Sequence, residues 1–170
     1  ADAIRDHYRP LGPSDAVPER TMPAARIDQV LGGLLSSVLS QERFKGKPGH
    51  TFVLHTHGKI PANRVIVAGL GPKREASLER LRVAAAAAAR RASEARVKYL
   101  VLPAITLPPH HADAITQARV EGVVLGLYRF SRYKRQDDDA PTVDRVELLA
   151  TDAKHQKGVE DGLRRGLLFA

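Results

Sequence analysis

Residues 64–95 read RVIVAGLGPKREASLERLRVAAAAAARRASEA, and this stretch decides the fold. Its three consecutive β-branched residues, Val65, Ile66 and Val67, predict a strand that is covered on both faces. Two glycines and a proline then predict a turn, and the alanine-rich segment predicts a long helix that begins near Ser77, a good N-cap. Alanine is the strongest helix former, and its small side chain lets a helix lie close to a sheet. A strand, a turn and a helix in this order are typical of an α/β fold.

The turn at 69–75, GLGPKRE, resembles the start of a phosphate-binding loop but lacks its essential residues. The third glycine position of a dinucleotide fingerprint is occupied by Arg74, and Pro72 removes one amide donor. The Gly-Lys-Ser/Thr of a Walker loop is also missing. Lys73 and Arg74 could still meet an anion, but the pattern favours a turn that only reverses the chain.

The remaining elements follow from hydrophobic periodicity. Apolar residues at helical spacing predict one helix over 26–41, in which Gly32 and Gly33 permit close packing against a neighbour. Further strands are predicted at 51–58, 97–105 and 142–150, and further helices at 112–130 and 156–170. Gly122 and Gly126, four residues apart, predict close packing of their helix on a neighbour. Two adjacent strands early in the chain predict a mixed sheet, with helices covering both of its faces.

Composition narrows the class of protein. The chain has 170 residues, enough for one domain with a core, and 43% of them are hydrophobic. It has no cysteine, which excludes disulfides and thiolate metal sites and is compatible with a cytoplasmic location. No apolar run is long enough to span a membrane. Residues 1–25 are rich in Pro, Asp and Arg, so an irregular segment without a signal-peptide core is predicted there.

The chain is strongly basic, with a formal net charge of +8 and an isoelectric point near 10.1. Such a charge favours polyanions, nucleic acid first. Basic residues concentrate on and around the alanine-rich helix, and the candidate nucleic-acid-binding residues are Lys73, Arg74, Arg80, Arg82, Arg90 and Arg91, with Arg96 and Lys98 nearby. The alternative is a solvated basic surface, or one that meets an acidic surface on another domain. No RGG tract, zinc finger or aromatic RNA-binding motif supports the nucleic-acid interpretation.

No set of residues forms a recognisable catalytic or metal-binding pattern. The pairs His55 and His57, and His110 and His111, lack partners at an established ligand spacing. The acidic run at 137–139 is interpreted as a solvated loop, and no Gly-x-Ser-x-Gly elbow or cysteine nucleophile is present. We therefore assign no catalytic and no metal-binding residue to this chain.

Four segments resemble the amino-terminal domain of the cytosolic leucyl aminopeptidase family. Residues 27–71 resemble its first helix, its F-x-G-K-x-G turn and its V-G-L-G strand end, and LERLRVAAAAAARRA at 78–92 is similar to its alanine-rich helix. The most specific segment is VEGVVLGLYRFSRYK at 120–134, which resembles the signature E-G-x-x-L-x-x-Y-x-F-x-x-Y-K. GVEDGLRRGLLFA at 158–170 resembles the linker helix that leads into the catalytic domain.

This resemblance implies a three-layer α/β/α fold, macro-domain-like, over 26–150, followed by a linker helix over 151–170. In the family, a carboxy-terminal domain holds two divalent metals, Zn or Mn, and removes amino-terminal residues such as Leu from peptides. Its signature N-T-D-A-E-G-R-L does not occur here, so the chain is expected to be an inactive part of a longer polypeptide. The implied partners are its own catalytic domain and the other subunits of a homo-hexamer, in which this domain supports assembly and restricts access to the active sites. A DNA-binding basic domain is the alternative, and an ADP-ribose-binding module is disfavoured by the turn at 69–75.

Overall fold

The computed structural model describes residues 24–128, 143–150 and 152–170. Five α-helices and four strands follow one another in these ranges, and a 3₁₀ turn at Lys73–Glu75 precedes the third helix. The helices are α1 (Ala24–Val30), α2 (Leu34–Gln41), α3 (Leu78–Glu94), α4 (Ala112–Leu127) and α5 (Ala153–Phe169). The strands are β1 (Thr51–His55), β2 (Arg64–Ala68), β3 (Tyr99–Leu102) and β4 (Arg145–Leu148).

The single helix predicted over 26–41 is two helices. Gly32 and Gly33 separate α1 from α2 with φ angles of 68° and 79°, a left-handed conformation that glycine adopts readily. The predicted close packing of these two glycines is wrong, because the space beside each Cα is open. Asp28 stabilises the break instead, since its carboxylate accepts hydrogen bonds from the backbone NH and the hydroxyl of Ser36. These bonds lower the pKa of the Asp28 carboxyl, with the hydroxyl contributing most.

The first two strands form an antiparallel hairpin with helices on both sides. Leu54 of β1 shares a core cluster with Leu31 and Leu35 from the α1–α2 segment, and Val65 and Val67 pack against it. Ile66 packs instead with the alanines of α3, because successive side chains of a strand point to opposite faces. The molecule is therefore layered, with α1 and α2 on one side of the hairpin and α3 on the other, as predicted.

The last two strands form a separate parallel pair. Leu100 and Leu102 of β3 face a cluster that contains Ala85, Ala89 and Val123. The sequence predicted one mixed sheet, whereas the described residues form one antiparallel and one parallel two-stranded sheet. The side chain of Arg64 on β2 donates to the carbonyl of Ala95, which links the hairpin to the segment that leads into β3.

The three long helices lie side by side in the same direction, with glycines at their contacts. A Cβ on Gly126 of α4 would lie 2.5 Å from the carbonyl oxygen of Ala86, and one on Gly122 would overlap the carbonyl of Arg82. The predicted close packing of this helix is thus confirmed, and its neighbour is α3. Glycines at positions 158, 162 and 166 perform the same task where α5 meets α4.

Most of the other predicted elements are present but shorter, whereas the last helix, predicted over 156–170, begins earlier and spans Ala153–Phe169. Strands predicted at 51–58, 97–105 and 142–150 end within these ranges, and the helix predicted to 130 ends at Leu127. The irregular segment predicted over 1–25 lies outside the described residues up to position 23. The acidic run at 137–139 and the second half of the 120–134 signature, from 129 onward, lie outside them as well.

Ser77 is the N-cap of α3, as predicted, and its hydroxyl accepts a hydrogen bond of 3.2 Å from the backbone NH of Arg80. We expect Ser77→Ala to lower the free energy of unfolding by about 1 kcal/mol, since that amide loses its acceptor. Urea denaturation measures the change. Ser37→Ala is the matched control, because Ser37 is an exposed interior residue of α2 and its replacement should cost nothing.

Candidate functional site

The glycines of the turn at 69–75 make hydrogen bonds and close contacts within the fold itself. The backbone NH groups of Gly69 and Gly71 donate to the carbonyl oxygens of His50 and Gly46, each at 2.8 Å. A Cβ on Gly69 would collide with the backbone at Gly46 and Lys47. The glycines therefore allow two loops to pack together, and their amides are unavailable to a phosphate. This geometry supports a chain reversal and no phosphate cradle.

The six candidate nucleic-acid-binding residues differ in how far their charges are paired with carboxylates. Four of them make ion pairs with glutamates: Arg74 and Arg80 with Glu75, Arg82 with Glu79 and Glu121, and Arg91 with Glu94. Lys73 and Arg90 are exposed, and no carboxylate within the described ranges pairs with either. Arg82 points toward α4, whereas Arg80 is turned back over the turn and donates to the carbonyl of Leu70. Much of the positive charge predicted for this helix is thus neutralised locally.

The outer side of the α3–α4 contact carries a nearly buried carboxylate. Glu121 accepts hydrogen bonds from Arg82 Nε at 2.7 Å and from Gln117 Nε2 at 2.8 Å. The hydrogen bond from Arg82 is the largest cause that raises the pKa of its guanidinium. Each oxygen of Glu121 thus has a donor, which is what a buried carboxylate requires. The Glu121 carboxylate therefore links α3 to α4, and its hydrogen bonds leave neither oxygen available for acid or base chemistry.

Arg119 lies on the inner side of α4 and is a buried charged residue. It is 6% exposed, and burial lowers the pKa of its guanidinium to about 10. One turn further along the helix, Val123 belongs to the core cluster that contains Leu100 and Leu102, so Arg119 is on the sheet side of α4. No carboxylate of residues 24–128, 143–150 or 152–170 is paired with it.

The histidines within the described ranges do not assemble a metal site. The rings of His55 and His57 lie 6.4 Å apart, but His57 follows the end of β1 and has a φ of 50°. They were predicted to share a strand face, and only His55 is on the strand. His110 and His111 are exposed beside the start of α4. In the described part of the chain, no three His, Asp or Glu residues are close enough to hold a metal ion.

Sequence reasoning missed three features of this helical layer. The glycine spacing in α5, at 158, 162 and 166, was visible as a repeat of four but was not used. The roles of Glu121 and Arg119 had no signal in the sequence, since a charged residue in an amphipathic helix is usually assigned to solvent. Within the described residues, no helix is long and apolar enough to cross a bilayer.

Comparison with known proteins identifies the fold's relatives. The sequence profile of the cytosol aminopeptidase family, N-terminal domain, matches residues 16–137. The chain belongs to this family. A probable cytosol aminopeptidase of Alkaliphilus metalliredigens is 32% identical over 143 residues, which are 80% of this chain and 29% of that protein. A probable cytosol aminopeptidase of Geotalea uraniireducens is 36% identical over 127 residues, which are 75% of this chain and 26% of that protein.

Two solved enzyme structures share the fold. A tomato leucine aminopeptidase variant matches with a TM-score of 0.61 at 23% identity, over 79% of this chain and 27% of its own. The bottromycin maturation enzyme BotP, in complex with Mn, matches with a TM-score of 0.59 at 25% identity, over 75% of this chain and 26% of its own. The chain thus spans less than a third of the length of these relatives.

Proposed function

We propose that this chain is the non-catalytic amino-terminal domain of an aminopeptidase that removes amino-terminal residues such as Leu from peptides. The observation that carries the proposal is the match of residues 16–137 to the family's N-terminal domain, combined with the 26–29% share of its relatives that the chain covers. A domain that forms this share of a peptidase leaves most of the polypeptide for a catalytic domain.

The two divalent metals of the parent enzyme, Zn or Mn, belong in that catalytic domain. The residues described here do not fit such a group, since no cluster of three potential ligands occurs among them. Both carboxylate oxygens of Glu121 also accept hydrogen bonds, one from Arg82 and one from Gln117. We therefore assign no catalytic step to any of the described residues. The related enzyme BotP was solved in complex with Mn, which supports the metal class of the parent enzyme.

In the parent enzyme, the domain acts through contacts. Its partners are its own catalytic domain and the other subunits of a homo-hexamer, where it supports assembly and restricts the access of peptides to the active sites. Residues 26–150 form the domain in this proposal, and residues 151–170 form the linker helix that continues into the catalytic domain. The names of the relatives, cytosol aminopeptidases, support a cytoplasmic location for the parent enzyme.

The proposal predicts a sharp contrast in activity. The purified 170-residue chain should not hydrolyse leucine p-nitroanilide in the presence of Mn²⁺ or Zn²⁺, whereas the polypeptide of the complete reading frame should. Both are assayed at equal molar concentration with the same metal additions. A metal-dependent turnover by the 170-residue chain, abolished by a chelator, would refute the non-catalytic assignment.

DNA binding is a second candidate, favoured by the net charge of +8 and by the exposed Lys73 and Arg90. If it is correct, affinity for duplex DNA falls steeply as salt is raised, because each neutralised phosphate releases a counterion. Lys73→Gln combined with Arg90→Gln should then weaken binding and flatten the salt slope, whereas Lys157→Gln on α5 should change less. Fluorescence anisotropy with labelled duplex measures both. The absence of binding at low salt would exclude this candidate.

A further inference from the structure

The carboxyl ends of α4 and α5 expose the largest apolar side chains of the helical layer. Leu125 is 54% exposed, Tyr128 is 70% exposed and Phe169 is 73% exposed. Isolated apolar residues on a surface are ordinary, but several that lie together indicate a contact site. We call these three residues the terminal patch.

The helix register brings the three residues to the same end of the layer. Gly166 of α5 is against Val120 of α4, and the two helices run in the same direction. Phe169 is three residues beyond Gly166 and shares its side of the helix, so it is level with the last turns of α4. Leu125 lies in the last turn of α4, and Tyr128 directly follows the helix as its C-cap.

The outer side of α4 is covered toward its amino end and exposed at the terminal patch. Toward the amino end of α4, the same outer side carries Glu121, which is 8% exposed because Arg82 and Gln117 close over it. One turn further along, Leu125 has no such cover. Glu121 is buried and hydrogen-bonded, whereas Leu125, one turn away, is an exposed apolar residue. This change marks the boundary of a contact surface.

We infer that the terminal patch is the surface on which the catalytic domain of the same polypeptide docks, an inference that rests on the proposed function. Two observations favour this occupant over a second copy of the chain. The chain covers only 26–29% of its relatives, so most of the parent protein lies outside the domain. Phe169 is also the last residue of α5, so a chain that continues past this helix leaves the domain beside the patch.

The accessibility of introduced cysteines tests the docking, because the chain has none of its own. Leu125→Cys and Tyr128→Cys are made in the 170-residue chain and in the polypeptide of the complete reading frame, and maleimide labelling rates are followed by peptide mass spectrometry. Both sites should react at least about tenfold more slowly in the complete polypeptide, since docked apolar cores exclude solvent. Val30→Cys is the matched control, because Val30 is an exposed apolar residue of α1 in the opposite layer, and its rate should not change.

Each result decides the inference. Equal rates at position 125 in the two polypeptides would overturn it, as would a reading frame that stops after Ala170. Protection that arises in the 170-residue chain alone and grows with concentration would assign the patch to a second copy and would also overturn it. Hydrolysis of leucine p-nitroanilide by the complete polypeptide is measured in parallel. Activity without protection therefore defeats the docking surface alone, and absence of activity defeats the proposed function.

Discussion

Gly162→Val is expected to lower the free energy of unfolding by about 3 kcal/mol or more, and Gly162→Ala by about 1–3 kcal/mol. A Cβ at this position would overlap the carbonyl oxygen of Asp113 and would lie 2.7 Å from the Cβ of Thr116. The obstacle is backbone and a β-branched side chain, so no flexible group can move aside. The helices α4 and α5 must separate, which removes the contacts along their whole seam. Urea denaturation followed by circular dichroism measures the loss.

Arg164→Val is the matched control for the glycine substitution. It introduces the same β-branched residue two positions further along α5, on an exposed side, where no collision occurs. We expect a loss of less than about 1 kcal/mol for this control. Equal losses for the two valine variants would show that the seam is not close-packed and would contradict the described register.

Arg119→Met is expected to raise the free energy of unfolding by about 1–3 kcal/mol at pH 7. Burial lowers the pKa of the guanidinium to about 10, and a depression of this size corresponds to a burial penalty of about 3 kcal/mol. Methionine has a similar length and no charge, so it keeps the contacts of the aliphatic stem and removes the penalty. Thermal and urea unfolding of the two proteins measure the gain.

The pH dependence gives the sign of the Arg119 effect. Because the folded-state pKa of about 10 is below the unfolded-state value, the unfolded chain binds the proton more strongly at pH values between the two. Stability contributed by this group therefore rises with pH across that interval, and the penalty is complete at neutral pH. Arg119→Lys retains a buried charge and should bring no comparable gain. A marked loss of stability in Arg119→Met would show that the guanidinium has a stabilising partner.

The layered α/β order followed from the sequence because hydrophobic periodicity and capping are local. Three β-branched residues identified β2, and Ser77 marked the first turn of α3 correctly. The break at Gly32 and Gly33 was missed because the apolar spacing continues across it. Periodicity reports which residues are apolar, whereas a left-handed backbone at glycine is decided by packing on both sides.

The charged residues show what a linear pattern cannot give. Arg82 was grouped with its neighbours as a cation for nucleic acid, yet it reaches across to Glu121, 39 residues away in the sequence. Arg119 has an ordinary helical context in the sequence and becomes buried only when α4 is placed on the sheet side. Both outcomes depend on how parallel helices pack, and the close contacts at Gly122 and Gly162 set that packing.

Sequencing the coding DNA beyond the codon for Ala170 tests most directly whether this chain is the accessory domain of a longer peptidase. We expect the frame to stay open and to encode a catalytic domain with the signature N-T-D-A-E-G-R-L. A stop codon immediately after Ala170 would contradict it and would make DNA binding by a free-standing basic domain the leading function.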